Sequence, residues 1–564
     1  MLGLLVLALY LPGFFALPVV DRDEARFAQA SRQMLQTGDV VVPRVLGKPR
    51  LNKPPLVYWA QSGAGWVLTL GDVSRDRVWM YRVPSLLAGI GSVWCAWRLG
   101  RRLFDARVAW LAGLMLGACP IMFWEAHQAR ADMLLVLWTT LAMWRLWEVL
   151  EASRHGRSTL VPAIWLWAAV GLGVLTKGPI TPLLVVLGTL GVCAVEGRWR
   201  ALRAIRPLLG VVVVAGMVGP WVALVMRSVG FEAYTKIVYD EVLGRSLEPK
   251  EGHDGPPLYH AALTAVLLWP GSLLLWFGLS RLVRVGLVGE VPAGGRGWLG
   301  RAHAWLASRK PGRAQEVFLL AWLVPGWWVF EVVSTKLPHY TMPLYPALAL
   351  ILARGGLSGA TWLARAGQGR VIRTLGGGWS IVGLGWLAAL AAFGWLALRN
   401  PVQGATLWSG TLVGGVAGLM IWFHLRSQRF LGTNRVRGML PLGLGIFGVI
   451  AAGIGWSIPN IEDAWVSRRV VEALATIERG KPRPFAAASF VEDSLVFESR
   501  GRVECMELHK LDDWLVANPD GVVLVPGWHA SARGWKVLTS VGGFNYTKGV
   551  RVDLVLCERK GPSQ

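Results

Sequence analysis

Two acids and a base follow the first apolar stretch of the chain: Asp23, Glu24 and Arg26. Ionisable side chains close to membrane depth are costly, so they usually face a cavity or a partner. A carboxylate at such a position could bind an acceptor or remove a proton from it. Acids in the first turn of a helix are also stabilised by the helix dipole alone. The sequence is compatible with both interpretations.

Lys53 stands directly before two prolines, Pro54 and Pro55. Proline restricts the backbone, so this lysine is held more firmly than one in an ordinary loop. A fixed ammonium group suits a phosphate ligand because it acts as a point charge. A lysine near the membrane surface can also contact lipid headgroups. Lys53 is therefore a candidate phosphate ligand, with headgroup contact as the alternative.

Further ionisable residues recur at the ends of apolar stretches, in four separate segments. They are Arg130 with Asp132, then Lys177, then His253, and finally Lys336 with His339 and Tyr340. The bases suit an anionic lipid, and the acid suits proton removal or stabilisation of a cation. One such residue would most often be a side chain that snorkels to water. Four clusters on one side of a membrane are harder to explain in that way.

A metal site is not supported by the spacing of histidines, cysteines and acids. His253 could join a divalent metal, but its partners are not evident in the sequence. We therefore assign no cofactor with certainty. The sequence also contains no phosphate-binding loop and no dinucleotide fingerprint.

The composition shows which elements must position these residues. Hydrophobic residues make up 54% of the chain and charged residues 16%, and there are 32 tryptophans. Soluble domains carry about 25% charge, and tryptophan is favoured at the membrane–water interface. We find thirteen apolar stretches, most of them close to the ~20 residues that a spanning helix needs. They cover about 2–20, 80–98, 106–123, 132–150, 159–175, 178–195, 207–226, 259–280, 316–333, 338–354, 377–397, 406–424 and 438–456.

Basic residues indicate how these spans are oriented. An arginine cluster closes or follows every even-numbered span, which places those loops in the cytoplasm. The same distribution explains the net charge of +23 without a nucleic-acid partner. The first stretch lacks a basic leader and a cleavage site, so we interpret it as an uncleaved span. The first outer loop, 21–79, and the segment after 456 then face outward.

The predicted fold class is a polytopic α-helical membrane protein with about 13 transmembrane helices and a small C-terminal α/β domain outside the cytoplasm. The membrane domain covers 1–456, and the second domain covers 457–564. Within that domain, 522–525 and 552–556 are predicted to be strands, and 503–514 could hold a helix and its approach.

Two further patterns concern cysteines and helix faces. Cys505 and Cys557 both lie in the C-terminal domain, where they could form a disulfide or remain two thiols. In the first outer loop, Phe27, Ala30 and Met34 share one face of a predicted helix. That helix would begin at the first pair of acids.

Five short motifs together resemble those of the GT-C glycosyltransferases that use polyprenyl-phosphate sugars. The nearest likeness is to the bacterial 4-amino-4-deoxy-L-arabinose lipid A transferases, a family related to the protein O-mannosyltransferases. The motifs are Asp23 to Ala28, Lys53 to Trp59, Ala129 to Asp132, Leu175 to Pro179 and Ser334 to Tyr340. Each is weak alone, but their order and spacing along 1–350 resemble the family's. The span count and the outer domain resemble the aminoarabinose transferases over the whole chain.

The resemblance implies a role for each matched residue. Asp23 would be the general base or the group that orients the acceptor, and Asp132 a second functional acid. Lys53 would contact the donor lipid phosphate, with Lys336 and Tyr340 near it. The full set of predicted substrate-binding residues is Glu24, Arg26, Lys53, Arg130, Lys177, His253, Lys336, His339 and Tyr340. One departure is Asn52, where the family often has Glu, so a metal or charge interaction at that position is in doubt.

A glycosyltransferase of this kind would move a sugar from undecaprenyl phosphate to an acceptor on the outer side of the bacterial inner membrane, with inversion at the anomeric carbon. The acceptor could be lipid A-like, another lipid or a protein. The lipid phosphate would leave, so cations must stabilise its charge. A transporter or lipid flippase is the alternative, but it predicts an internal two-fold repeat that the sequence does not show. A scaffold would leave the clustered outer charges unexplained.

Overall fold

The computed structural model describes residues 1–244, 255–283, 314–358, 369–398, 406–432 and 438–559. The predicted site residue His253 lies outside these ranges. The described chain forms a helical bundle, followed by a smaller unit built around a mixed β-sheet.

The bundle consists of helices joined by short turns. Its α-helices are Leu2–Tyr10, Asp23–Thr37, Leu56–Thr69, Val78–Leu103, Ala106–Gly117, Pro120–Ala126, Asp132–Arg154, Leu160–Lys177, Ile180–Glu196, Ala201–Ala204, Pro207–Val229, Phe231–Tyr239, Tyr259–Leu267, Leu275–Val283, Ala314–Val332, Tyr345–Ser358, Gly369–Leu398, Thr406–Gly432 and Met439–Ser457. The 3₁₀ turns are Val73–Arg75, Gly271–Leu274, Met342–Leu344 and Ile458–Asn460, and Asp240–Gly244 is a π-helical turn. A two-stranded ribbon pairs β1 Arg44–Val45 with β2 Lys48–Pro49.

Among the described residues, five helices are long and apolar enough to cross a membrane: Asp132–Arg154, Leu160–Lys177, Ala201–Val229, Arg373–Leu398 and Met439–Asn460. Two bent helix pairs, Ala106–Gly117 with Pro120–Ala126 and Tyr259–Leu267 with Gly271–Val283, would raise this number to seven. Each of the thirteen predicted stretches overlaps a helix. The chain is therefore a polytopic helical membrane protein, and the count of thirteen stays a prediction.

The first apolar stretch is not one continuous helix. Its helix ends at Tyr10 after nine residues, a length of roughly 14 Å, whereas the hydrocarbon core of a bilayer is about 30 Å thick. Pro12 follows, and Gly13 has a φ of 77°. A Cβ on Gly13 would lie 2.4 Å from the carbonyl oxygen of Gly455. The turn at Gly13, packed on the last long helix, therefore interrupts the continuous helix expected over 2–20, whereas the prediction that this stretch spans the membrane stays a prediction.

The helix Asp23–Thr37 carries the first two predicted acids at its start. Phe27, Ala30 and Met34 lie on one face and are buried in the main core of the bundle, as the sequence predicts. Gly38 ends the helix with a φ of 72°, a conformation that favours glycine. The opposite face of the helix contacts the C-terminal part of the chain.

The C-terminal part of the chain, after the last long helix, is an α/β unit. Its strands are β3 Phe485–Ala487, β4 Val503–Cys505, β5 Val522–Pro526, β6 Lys536–Asn545 and β7 Val550–Glu558. Its helices are Val466–Glu478, Asp493–Glu498, Leu511–Ala517 and Gly527–Arg533, with 3₁₀ turns at Glu462–Ala464 and Leu508–Lys510. The sheet order is β4-β3-β5-β7-β6, and β7 runs antiparallel to β5 and β6. The predicted strands at 522–525 and 552–556 are confirmed.

The central strand β5 is buried on both faces of the sheet. Val522 and Leu524 pack into one apolar cluster with Val470. Val523 packs into a second cluster, which contains Leu511 on the other side. A strand covered on both faces has a continuous apolar sequence rather than an alternating one, which explains the run of four apolar residues at 522–525.

Cys505 and Cys557 do not form a disulfide, and both are free thiols. Cys505 ends β4 and Cys557 lies in β7, and the strands β3 and β5 stand between them. Neighbouring strands are about 4.8 Å apart, so the two residues are roughly 14 Å from each other, twice the ~7 Å Cα separation that a disulfide can bridge. Of the two alternatives left open by the sequence, the unpaired thiols are the one observed.

We expect an alkylating reagent to modify Cys505 and no other cysteine of the folded protein. Cys505 is exposed, whereas Cys95, Cys119, Cys193 and Cys557 are buried. N-ethylmaleimide treatment in detergent, followed by peptide mass spectrometry, should label this residue alone. Denaturation should then make all five cysteines reactive. A disulfide-linked peptide pair, or protection of Cys505, would contradict the arrangement.

Candidate active site

An ion pair joins the ends of two neighbouring helices. Asp132 begins Asp132–Arg154, and Lys177 ends Leu160–Lys177. Nζ of Lys177 donates a hydrogen bond to Oδ1 of Asp132 at 2.5 Å. An acid at a helix N-terminus and a base at a C-terminus each complement the helix dipole. The two predicted residues therefore stabilise both helix ends and one another.

His339 and Tyr340 complete this side of the site. Nε2 of His339 lies 3.7 Å from Oδ1 of Asp132, and Nζ of Lys177 lies 5.3 Å from the centroid of the Tyr340 ring, within cation–π range. The imidazole of His339 thus lies beside the Asp132–Lys177 ion pair, where its ring nitrogens can take part in hydrogen bonds.

A second ion pair, between Arg130 and Glu125, lies on the other side of His339. Nη2 of Arg130 donates to Oε1 of Glu125 at 2.5 Å, and the same oxygen lies 3.9 Å from Nδ1 of His339. Sequence reasoning did not select Glu125 as a site residue. Its position five residues before Arg130, in the same short link, was the available signal. Its contacts with Arg130 and His339 identify Glu125 as part of the candidate site.

Asp23 faces the same group of cations from the start of its helix. Burial is the largest single effect and raises the pKa of its carboxyl group, but Arg130, Arg50 and Lys53 together lower it more, so the net pKa lies below the ordinary value. Asp23 is therefore ionised at neutral pH. A carboxylate with a lowered pKa is a weak base, so Asp23 suits the orientation of an acceptor better than the removal of its proton.

Glu24 holds the fold together and does not point to a ligand. Its carboxylate forms a bidentate ion pair with Arg82 at 2.7 and 2.8 Å, and both side chains are 0% exposed. It also accepts hydrogen bonds from the backbone N–H groups of Val20 and Ala129. Because both oxygens are engaged in this way, the placement argues against the predicted role of Glu24 in substrate binding.

Lys53 is held by a carboxylate from a distant part of the chain. Its Nζ lies 3.0 Å from Oε2 of Glu241. Nδ2 of Asn52 donates to Oε1 of the same carboxylate at 3.0 Å. Glu241 thus supplies next to Lys53 the acid that the chain lacks at position 52. A separation of 188 residues explains why no local motif indicates it.

Arg26 and Lys336 contact protein groups outside this cluster. Nε of Arg26 lies 2.7 Å from Oδ2 of Asp493 in the α/β unit. Nζ of Lys336 donates to the carbonyl oxygens of Gly255 and Pro256, at 3.0 and 3.2 Å. The predicted residues that the structure does bring into one electrostatic cluster are Asp23, Lys53, Arg130, Asp132, Lys177, His339 and Tyr340.

Arg50 and Tyr58 also belong to the site, although sequence reasoning did not select them. Both stand within a few positions of Lys53. Arg50 lowers the pKa of Asp23, and its guanidinium lies 5.4 Å from the centroid of the Phe27 ring. Tyr58 is fully buried, and the centroid of its ring lies 5.4 Å from the centroid of the same Phe27 ring. A second cation in the Lys53 motif was the signal that could have identified Arg50.

The site combines cations with carboxylates and is suited to an anionic ligand. Charge-assisted hydrogen bonds from lysine and arginine are the usual means of holding a phosphate. In the part of the chain that the structure describes, no three His, Cys, Asp or Glu side chains are grouped to hold a metal ion. The arrangement can therefore bind a phosphate and keep a carboxylate beside it.

The sequence is similar to known sugar transferases. A family model described as dolichyl-phosphate-mannose-protein mannosyltransferase matches residues 52–223. An undecaprenyl phosphate-alpha-4-amino-4-deoxy-L-arabinose arabinosyl transferase of Pseudomonas aeruginosa (strain LESB58) is 31% identical over 382 residues, which are 67% of this chain and 62% of the relative. The enzyme of the same name from Edwardsiella ictaluri is 28% identical over 425 residues, covering 74% of this chain and 70% of the relative. The match to the Pseudomonas protein thus leaves more than a third of its length uncovered.

The fold is similar to that of a solved structure over nearly its whole length. The crystal structure of ArnT from Cupriavidus metallidurans bound to undecaprenyl phosphate has a TM-score of 0.69 and 20% sequence identity, covering 98% of this chain and 97% of that chain. The apo form of the same protein gives a TM-score of 0.67. At this identity the likeness shows a common fold.

Replacing Glu24 by alanine should destabilise the fold strongly. The substitution leaves Arg82 buried without its partner, and loss of one member of a buried ion pair costs about 3–5 kcal/mol. We expect a lower midpoint of thermal unfolding in detergent. Glu472→Ala, which removes an exposed ion pair with Arg468, should change the midpoint little. Equal midpoints for the two variants would contradict the structural role of Glu24.

Proposed function

We propose that the chain is a membrane glycosyltransferase of the GT-C class, and that it transfers a sugar from undecaprenyl phosphate to a lipid acceptor. The Pseudomonas and Edwardsiella relatives are named for 4-amino-4-deoxy-L-arabinose carried on undecaprenyl phosphate, so this is the proposed sugar. The proposed acceptor is a lipid A-like phosphate. A phosphate is already ionised at neutral pH and needs orientation more than deprotonation, which suits the lowered pKa of Asp23.

The observation that carries this proposal is the convergence of distant segments on one cluster. Asp132, Lys177 and His339 come from three separate links, yet the first two share a hydrogen bond of 2.5 Å and the third lies 3.7 Å from Asp132. Arg130 and Asp23 influence each other's pKa from two further positions. Ionisable groups gathered at the ends of apolar helices are typical of a functional site.

The proposed reaction is an inverting displacement at the anomeric carbon. The acceptor oxygen forms a bond to this carbon while the bond from the carbon to the donor phosphate oxygen breaks. The leaving phosphate gains negative charge, which Lys53 and Arg130 are placed to stabilise. Asp23 orients the acceptor phosphate through Arg50, a cation that faces its carboxylate, while Asp132 holds Lys177 within the same cluster.

The side of the membrane on which the site lies is inferred from the helices that carry Asp132 and Lys177. Asp132 and Lys177 lie at one end of their helices. At the other end of the Asp132 helix, Arg154 forms an ion pair of 2.6 Å with Glu196, the last residue of Ile180–Glu196, among the basic clusters that indicate the cytoplasm. We therefore place the site on the outer side of the bacterial inner membrane, with thirteen spans and the C-terminal α/β domain, 457–564, in the periplasm.

A transporter or flippase is the less favoured function, because the relatives with similar sequences are named as transferases. A protein acceptor is also less favoured, since a hydroxyl would need a stronger base than Asp23. Purified protein in lipid nanodiscs with the undecaprenyl-phosphate-linked aminoarabinose tests these alternatives. With lipid A as the acceptor, mass spectrometry should detect one added sugar, and donor consumption without glycosylated lipid would overturn the proposed acceptor.

Asp23→Asn should reduce sugar transfer by about 100-fold or more while leaving the fold and donor binding intact. The amide is isosteric but lacks the negative charge that holds Arg50 beside the acceptor. The rate of transfer in nanodiscs measures the effect. The matched control is Asp72→Asn, an exposed acid in the same 21–79 segment, which should retain the wild-type rate. Wild-type transfer by Asp23→Asn would overturn the role of this residue.

Lys53→Met should weaken the binding of undecaprenyl phosphate by about 10-fold, which corresponds to about 1.4 kcal/mol. The substitution removes a cation from the proposed phosphate site. Tryptophan fluorescence titration with undecaprenyl phosphate measures the Kd, and Lys48→Met, at an exposed lysine of the same segment, is the control. Equal Kd values for the two variants would show that Lys53 is not a phosphate ligand.

A further inference from the structure

The helix Asp23–Thr37 lies between two bodies of the protein. One face is buried in the bundle, while the other contacts the α/β unit at successive turns. These contacts involve Arg26, whose Nε lies 2.7 Å from Asp493, and Arg32, whose Nη1 donates to the carbonyl oxygen of Phe497 at 2.6 Å. The helix that carries Asp23 is thus held from both sides.

The strongest contacts surround the turn just before Asp23. The backbone N–H and the hydroxyl of Ser494 both donate to the carboxylate of Asp21 at 2.7 Å. The N–H of Asp21 donates to the Tyr546 hydroxyl at 2.8 Å. Nη2 of Arg22 donates to the carbonyl oxygen of Thr547 at 3.3 Å. Two separate segments of the α/β unit, one at Ser494 and one at 546–547, therefore hold the two residues that precede Asp23.

Arg22 itself has an unusual backbone conformation, with a φ of 62° and a ψ of −103°. Residues other than glycine rarely adopt such angles, and they keep them only where surrounding structure holds them in place. Part of that surrounding structure is the α/β unit, and part is the bundle, where Val20 is hydrogen-bonded to Glu24 and Ala25. The direction in which Asp23 leaves this turn therefore depends also on a segment more than 400 residues away.

The far end of the helix is held by buried charges. Nε of Arg32 donates to Oδ2 of Asp76 at 2.6 Å, and Arg500 of the α/β unit donates to the other oxygen of the same carboxylate. The guanidinium of Arg32 also lies 3.7 Å from the centroid of the Phe497 ring. Arg32 is only 2% exposed, so this contact is part of the packed interior.

We propose that the C-terminal α/β unit is a positioning element of the active site, and that Asp493 and Ser494 set the orientation of Asp23. This inference rests on the proposed function, in which Asp23 orients the acceptor. Neither residue touches the reacting atoms. They act by holding Asp21 and Arg26, and through these the first turn of the helix.

The proposal predicts a separation between catalysis and donor binding. The cations assigned to the donor phosphate, Lys53 and Arg130, lie on other segments and do not depend on the contacts of Ser494. Loosening the turn before Asp23 should therefore lower kcat while the Kd of undecaprenyl phosphate stays unchanged. A general loss of structure would affect both quantities.

The test uses the full chain with the double substitution Asp493→Asn and Ser494→Ala. We expect kcat for sugar transfer to fall about 10-fold, because small displacements of a catalytic group are costly, with the Kd of undecaprenyl phosphate within about two-fold of wild type. The matched control is Asp512→Asn, which removes the Arg533–Asp512 ion pair of 2.7 Å in the same unit, away from the helix. It should keep wild-type kcat and Kd.

Hydrogen exchange provides a second measurement that does not depend on the reaction. Backbone amides of residues 21–27 should exchange faster in the double variant than in wild type and in Asp512→Asn. The single variant Ser494→Ala, which restores Asp493, should recover part of the lost kcat and part of the lost protection of these amides from exchange. Unchanged kcat, an equal fall in donor binding, or unchanged exchange at 21–27 would each overturn the proposal. Absence of transfer by the wild-type protein would instead overturn the proposed function, and the exchange result would still decide the positioning role.

Discussion

The buried ion pair between Glu24 and Arg82 is the interaction on which the arrangement of the site depends. Two unpaired charges in this interior would be far more costly than the pair, so the elements that carry them must meet. Arg82 also binds two carbonyl groups of the turn after the first helix, and Glu24 binds the N–H of Ala129. The chain neighbours of Glu24 and Ala129 are Asp23 and Arg130. Pairing the buried charges therefore brings Asp23, the acid proposed to orient the acceptor, close to Arg130, a cation proposed to stabilise the donor phosphate.

The same rule accounts for the composition of the site. Lys177 stands with Asp132, Arg130 with Glu125, and Lys53 with a carboxylate from a later segment. A lone cation at this depth would be poorly solvated, while a paired one keeps its charge and a defined direction. Lysine and arginine carry more N–H donors than one carboxylate oxygen accepts. A phosphate can thus join these groups without the fold giving up its internal pairs.

The sequence predicted those features that depend on local pattern. The apolar face of the helix with Phe27 and the strands of the α/β unit follow from periodicity and apolar runs. The contacts of Glu24 did not, because an acid at a helix start has the same local signature whether it binds substrate or a buried arginine. The partners of Arg26 and Lys53 lie 467 and 188 residues away, beyond the reach of any local motif. The turn at Gly13 depends on a contact with the last long helix, so the first apolar stretch alone suggested a continuous span.

The carboxylate that bridges Asn52 and Lys53 has a consequence for comparisons with relatives. A position-by-position alignment would score Asn52 as the loss of an acid, although Glu241 returns that acid to within 3.0 Å of both side chains. Asn52, Lys53 and Glu241 thus form one hydrogen-bonded group from two distant parts of the chain. If an acid at position 52 can replace Glu241 beside the lysine, these two columns of an alignment should vary in a compensatory way.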